Sequence, residues 1–333
     1  MRTEISRFRD LWKLRNSSEG DEFVLTNDII FGFNYTPDFV EKFITNWLFP
    51  IDDFNGVLDG DGHTIYSFRC EGMEESSLIK NNNGVIKNLE LDNVKIIAGD
   101  KAAGLALSNN GKIKNCFVRG KVKSEWDGDD LSTIGDKESA GLALSNNGKI
   151  KNCSVSCLIE GSLMSSGLVG VNEGDVVDCD FDGCINFSDF IGGIVGDNYG
   201  LVKNCHSSGS VNTGGTCGGI AFNNDGDNAV IENCWSDVTL NGGCGETTIS
   251  DRSIGGLVGS NRERSTVRDS YFVGALIGEG RKGMIIGKNN GVCRNCYYMG
   301  SHDGFGFKGD NVENVGHKES IEEIKDSILV GKI

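Results

Sequence analysis

The sequence predicts an all-β protein: a single-stranded, right-handed parallel β-helix, a solenoid of about ten coils. Three observations carry this. The stretch AGLALSNNGKIKNC occurs twice without a change, at Ala103–Cys116 and at Ala140–Cys153. Looser copies start at Gly167, Gly192, Gly218, Gly255 and Gly283, and a degraded one at Ser77. The copies end at Leu89, Cys116, Cys153, Cys179, Cys205, Cys234, Ser270 and Cys296, in steps of 27, 37, 26, 26, 29, 36 and 26 residues. The base unit is therefore 26 residues, with insertions in some copies. Within it, short alternating apolar runs are separated by Gly and Asn, the pattern of strand and turn, and no helical period appears. A repeat of this size means a solenoid, a propeller or an array, and it is shorter than the roughly 40–45 residues of a propeller blade.

The unit ending at Cys205 illustrates the coil. Ile194 and Val195 begin a short strand, and Asn198-Tyr199-Gly200 makes a turn of residues that tolerate positive φ. Val202 and Asn204 lie two apart and face one way. Beyond a corner, Cys205, Ser207, Gly209 and Val211 alternate along a third strand. Three short strands and three bends close one triangular coil, and equivalent residues then stack at roughly 4.8 Å.

Two polar columns follow from that stacking. One holds Asn82, Asn109, Asn146, Asn172, Asn198 and Asn289, each two residues before a turn glycine. The other holds Asn88, Asn115, Asn152, Asn204, Asn233 and Asn295, with Asp178 and Asp269 as substitutes. A stacked amide donates on one side and accepts on the other, so both columns read as structural ladders.

The repeat GGLVG-x-N-x-G-x-(I/V)-x-N-C-x-x-x-G-x-V resembles the GLUG motif, found in repeat arrays of bacterial and archaeal surface-associated proteins, including adhesin-like proteins and IgA-specific peptidases. The resemblance runs from about Asp21 to Tyr298. LTNDI from Leu25 and FNGVLDGDGHTI from Phe54 are similar to the coils that precede such arrays. It implies a β-helical stalk, not a peptidase active site, and it implies a cell-surface setting. No peptidase motif, signal peptide, or wall or membrane anchor is recognisable.

Composition agrees with a solenoid whose turns are made by Gly and Asn: of 333 residues 48 are Gly and only 2 are Pro. The formal net charge is −16 and the pI about 4.7. That charge opposes a nucleic-acid backbone or an anionic membrane as partner, and it serves solubility.

Of the 12 cysteines, Cys116, Cys153, Cys179, Cys205 and Cys234 take the same inward site on successive coils, and Cys296 repeats it later. Five in a row cannot pair completely, and cysteine buries well as a small apolar group. The expectation is a column of reduced thiols, which fits an intracellular or virion-borne setting better than an oxidising surface. Cys293 and Cys296 form C-x-x-C, but no second pair at zinc spacing accompanies them, so no metal is expected.

In chain order, residues 1–22 read as a cap helix and lead-in, with Ile5, Phe8 and Trp12 at helical spacing. Residues 23–300 form the β-helix. The aromatic cluster Phe39, Phe43, Trp47 and Phe49 is expected to wrap the first coils. Residues 301–333 read as an irregular loop and a second cap helix. There Ser320 and Glu323 make a capping box, and Ile321, Ile324 and Ile328 share a face.

Two long insertions, at 124–138 and 241–252, fall at the same corner of the unit. Cys116 to Gly141 is 25 residues and Cys234 to Gly256 is 22, against 14 from Cys205 to Gly219, so 11 and 8 are extra. Four coil steps, roughly 19 Å, separate them. They carry Glu125, Trp126, Asp127, Asp129, Asp130, Glu246 and Asp251, the candidate binding residues, since insertions on one face of a solenoid often form its binding face. Tolerated surface loops are the alternative.

No catalytic residue is assigned. Asp52–Asp53 and Asp129–Asp130 are adjacent in sequence, which on a strand does not pair them. None of the four His lies near a nucleophile pattern, and no P-loop, Rossmann fingerprint or zinc-protease helix is present, so no cofactor is expected. The reading is a non-enzymatic rigid scaffold for adhesion or for protein or glycan binding, with no nucleic-acid partner and no membrane insertion. The alternative is a carbohydrate-active β-helix, a polysaccharide lyase or hydrolase of phage-tailspike type.

Overall fold

The computed structural model describes residues 2–31, 50–124, 137–161, 163–242, 252–278 and 280–330. Strands pair in parallel, coil upon coil, into one sheet of 28 strands and another of 10. The ten-stranded sheet runs from Ile51–Phe54 to Phe305–Phe307 with one strand per coil, so the expected ten coils of a parallel β-helix are present. The two identical copies sit in exact register on adjacent coils: Lys112, Ile113 and Lys114 pair with Lys149, Ile150 and Lys151.

The core is a set of columns along the axis. Leu58, Ile86, Ile113, Ile150, Val176, Val202, Ile231 and Val267 follow one another inward and are all fully buried. Each contributes about 1.5–3 kcal/mol through burial. Two residues further on, the chain turns a corner through a left-handed residue. Asn88, Asn115, Asn152, Asp178, Asn204, Asn233, Asp269 and Asn295 have φ between 50° and 56°. Asn and Asp are the non-glycine residues that visit this region most readily, which explains why Asp alone substitutes there.

At the next corner the need is for space. A Cβ on Gly148 would lie 2.1 Å from the carbonyl oxygen of Gly111 on the coil below, so a side chain there would force the coils apart.

The two ends differ from the sequence pattern in instructive ways. At the N-terminus, Arg2–Ile5 is a strand paired with Glu22–Leu25, so the stack starts inside the segment read as lead-in. The helix is a 3-10 helix, Phe8–Asn16. Its three-residue turn puts Phe8, Leu11 and Leu14 on one face, in place of the expected Ile5, Phe8 and Trp12. Leu11 and Leu14 are buried, whereas Trp12 is 41% exposed. Phe8 meets Phe31, which meets Phe68, at 4.7 and 5.2 Å between ring centroids. The Phe39–Phe49 cluster lies outside the described residues.

At the C-terminus, the stack continues past residue 300. Phe305–Phe307 pairs with Ile286–Asn289, and Val312–His317 pairs with Val292–Tyr298, where an irregular loop was expected. The open edge of a solenoid presents unpaired N–H and C=O groups, and the following chain satisfies them whether or not it keeps the repeat. The helix Ile321–Val330 lies against the outer face at Tyr297, with Ile324 and Ile328 buried and Ile321 38% exposed. It is capped as expected: Glu323 N–H donates to Ser320 Oγ, and Glu319 N–H donates to Glu323 Oε2.

Candidate binding groove

The two predicted ladders form, with different chemistry. In the buried one, Asn82 donates to Asn109, Asn109 to Asn146, Asn146 to Asn172, Asn172 to Asn198, Asn198 to Asn224, Asn224 to Asn261 and Asn261 to Asn289, at 2.6–2.8 Å. Asn224 and Asn261 were missed in the sequence because insertions follow them directly and blur the turn. The exposed corner column runs the other way. Asn115 donates to Asn88, Asn152 to Asn115, Asn204 to Asp178, Asn233 to Asn204 and Asn295 to Asp269.

The cysteine column is a hydrogen-bonding device as well as a filler. Sγ of Cys116, Cys153, Cys179, Cys205, Cys234 and Cys296 each donates to the carbonyl two residues earlier, at 3.2–3.3 Å. Cys153 N–H in turn donates to Cys179 Sγ, and Cys205 N–H to Cys234 Sγ. Each thiol therefore serves backbone groups that the left-handed corner takes out of the sheet. Ser270 occupies the same place and makes both bonds with its hydroxyl. The eleven described cysteines are free, and all but Cys184 are buried. Burial pushes the Cys179 thiol far above its ordinary range, and those of Cys157 and Cys217 to about 12.

A third column, not singled out in the sequence, borders a long concave surface. Asn55, Asn83, Asn110 and Asn147 are exposed and stack outside the buried ladder. Asn83 donates to Asn55, Asn110 to Asn83 and Asn147 to Asn110, at 3.0–3.2 Å. Asn55 is itself anchored to Ser17, whose hydroxyl oxygen accepts its N–H and whose carbonyl accepts its amide. Each is followed by Gly, then by Val57, Val85, Lys112 or Lys149. The result is a groove of about 870 Å³ along the axis, with amides on one wall, bare glycine backbone as floor, and Val then Lys on the other wall. Glu19 and Gly20 lie at one end, and Gly174 and Asp175 at the other. The readable signal is Asn-Gly, repeated four times at one place in the unit, which by itself announces only a turn.

Lysines gather beside the groove, whose own lining carries Lys112 and Lys149 against Glu19 and Asp175. Lys87, Lys114 and Lys151 are in register on three coils, and Lys112 and Lys149 on two of them. Lys87 pairs with Asp59, Lys149 with Asp175 and Lys151 with Asp178. Lys112 and Lys114, both exposed, have no carboxylate partner among the described residues.

Other features resolve into structure. His206 and Trp235 stack at 3.4 Å, and Trp235 and Tyr271 at 5.7 Å. Stacked along the axis, these rings cover one another's faces and offer edges to solvent. A cavity of about 200 Å³ is lined by Phe190, Phe222, Arg262 and Lys288. Its Arg262 is already held by Asn223 and Asp225. Asp59 accepts from Asp61 N–H, Asn88 and Lys87, so the Asp59–His63 stretch is an organised turn. Among the described residues no group of three or more His, Cys, Asp or Glu is placed to hold a metal ion, and no helix is long and apolar enough to cross a membrane.

Glu125, Trp126, Asp127, Asp129, Asp130, Glu246 and Asp251 lie outside the described residues. The strands flanking both insertions do share one corner: Glu138–Ala140 stacks on Met164–Ser166, which stacks on Phe190–Gly192, and two coils on Ser253–Gly255 continues the same column.

No protein-family model matches the chain, and no curated protein does. Among solved structures, the chain is similar to a candidate immunoglobulin A1 protease from Bacteroides ovatus, at 17% identity and TM-score 0.43 over 98% of this chain and 87% of that one. It is also similar to an IgA1 protease, at 17% identity and TM-score 0.48 over 99% of this chain. The chain spans 24% of the length of that second protein. The activity in those names is that of those proteins.

Proposed function

We propose that the chain is a rigid, non-catalytic β-helical scaffold that holds an extended glycan in its axial groove. The observation that carries this is the continuity of the groove across coils. Asn83 and Asn110 each use one N–H and one lone pair on their neighbours, Asn55 donates to the Ser17 carbonyl and accepts from Asn83, and Asn147 donates to Asn110, so each exposed amide keeps a second N–H and a second lone pair for a ligand. Hydroxyl-rich polymers offer donors and acceptors in the same repeating fashion. Behind the groove, the buried ladder and the filled core leave little freedom for closure, which suits a surface that presents rather than processes. The resemblance of the repeat to GLUG arrays supports the same reading, in an adhesin-like role.

The acidic insertion is a candidate second contact, through Glu125, Trp126, Asp127, Asp129 and Asp130, with Glu246 and Asp251 from the other insertion. A glycan-array and polysaccharide-cleavage screen tests the proposal, run on the native chain and on an Asp127→Ala/Asp129→Ala/Asp130→Ala variant. Retention of a polysaccharide without release of reducing ends is expected. Product release that the triple variant abolishes would overturn the scaffold in favour of a carbohydrate-cleaving enzyme.

A further inference from the structure

The side chains along the groove change character from coil to coil. Its amide wall reads Asn55, Asn83, Asn110, Asn147, and the next coil replaces Asn with Glu173. The opposite wall reads Val57, Val85, Lys112, Lys149, and then Asp175. Negative charge thus flanks the two lysines, with Glu19 at one end of the groove and Glu173 and Asp175 at the other, where Asp175 meets Lys149.

The lysines are placed at a cost to the fold. Lys112 stacks on Lys149, and Lys114 on Lys151, in strict register on neighbouring strands. Like charges directly opposite on paired strands are destabilising. On the following coils the same outward positions are neutralised: Lys149 meets Asp175, Lys151 meets Asp178, and Lys203 and Arg268 share Glu232. In a chain of net charge −16, Lys112 and Lys114, exposed and without a carboxylate partner among the described residues, are a local exception to the global charge.

We infer that the groove takes a polyanionic glycan, running along the solenoid axis with about one sugar unit per coil and its acidic groups on Lys112 and Lys149. This deepens the scaffold reading and rests on it. Coil spacing of roughly 4.8 Å sets the repeat that the ligand must match. Amides meet the hydroxyls on one side, lysines meet carboxylates or sulfates on the other, and bare glycine lets the chain lie close. Glu173 and Asp175 mark where an anionic chain must leave. A nucleic acid fits less well. The groove offers no aromatic face for bases, which single-strand binders use.

The test is titration calorimetry with oligogalacturonates of increasing length, a sulfated galactan oligomer, a neutral galactan oligomer and single-stranded DNA. The expected result is binding of the charged glycans that strengthens up to about four units, one per stacked asparagine, then levels off, and that weakens with salt. The Lys112→Gln/Lys149→Gln variant should lose at least about tenfold in affinity while melting no lower than the native chain, because removing stacked like charges relieves repulsion. A purely structural role for the lysines would lower the melting temperature and leave affinity alone, which would overturn the inference. Equal binding of neutral galactan would overturn the charge assignment and leave the scaffold intact. Tighter binding of DNA would overturn the glycan assignment. Failure of every glycan, charged and neutral, here and on the array would overturn the scaffold reading itself.

Discussion

Asn82–Asn289 and Asn55–Asn147 are two asparagine columns one residue apart in the chain, built from the same side chain at the same spacing. In the buried column every amide between the two ends of the ladder is bonded on both sides, and only Asn82 at its first end keeps an oxygen without a partner. Asn172 donates both to Asn198 and to the carbonyls of Gly174 and Leu201, and its oxygen accepts from Asn146. In the exposed column Asn83 and Asn110 each have one bond up and one bond down, and the rest of their capacity has no partner among the described residues. Burial alone separates the two. The same chemistry that locks the coils together inside makes a periodic row of exposed amides outside, the row on which the proposed glycan site rests.

The largest expected effect is inside. Asn172→Leu strips Asn146 and Asn198 of a partner and leaves the Gly174 and Leu201 carbonyls without their donor. At about 1–3 kcal/mol for each buried group left unsatisfied, the loss should exceed about 3 kcal/mol. Urea unfolding monitored by circular dichroism measures it. A loss below that of the exposed-column substitution would mean that burial is not what distinguishes the columns.

Next in size is the thiol column, which sharpens the comparison by asking whether an inward polar atom serves as a filler or as a bond. Cys179→Ala removes the acceptor of Cys153 N–H and the donor to Val177 carbonyl, and should cost about 1–3 kcal/mol. Cys179→Ser keeps both bonds, as Ser270 does naturally, and should recover most of that loss. If Ala and Ser cost the same in the unfolding experiment, the column is packing only.

How far the sequence reveals all this depends on what sets each feature. The winding, the coil number and most of both predicted ladders were legible, because stacking forces equivalent residues into columns and columns appear as a period. Asn224 and Asn261 were not, since insertions hide the turn that marks the position. The N-terminal helix was placed but its face was misread, because a 3-10 turn brings Phe8, Leu11 and Leu14 together and an α-helical spacing does not. The last coil was invisible: Val312 and Val315 stack on Cys293 and Cys296 by edge pairing, without any motif. The groove was half visible. Four Asn-Gly pairs announced turns, but only the stacked geometry shows that their amides form one line beside bare backbone.

The smallest stability effect should come from the outer column. Asn110→Ala breaks its bonds to Asn83 and Asn147, yet all three side chains are exposed and water replaces what is lost. The expected change is under about 1 kcal/mol, since a typical net hydrogen bond is worth only about 0.5–1.5 and exposed partners are resolvated. Binding should respond in the opposite proportion: the substitution interrupts the amide row at its centre, so affinity for a four-unit glycan should fall toward that of a two-unit one. Parallel unfolding and calorimetry on this variant therefore separate the columns on both axes at once. A variant that unfolds as readily as Asn172→Leu, or that binds like the native chain, would mean that the outer row belongs to the fold and not to the groove.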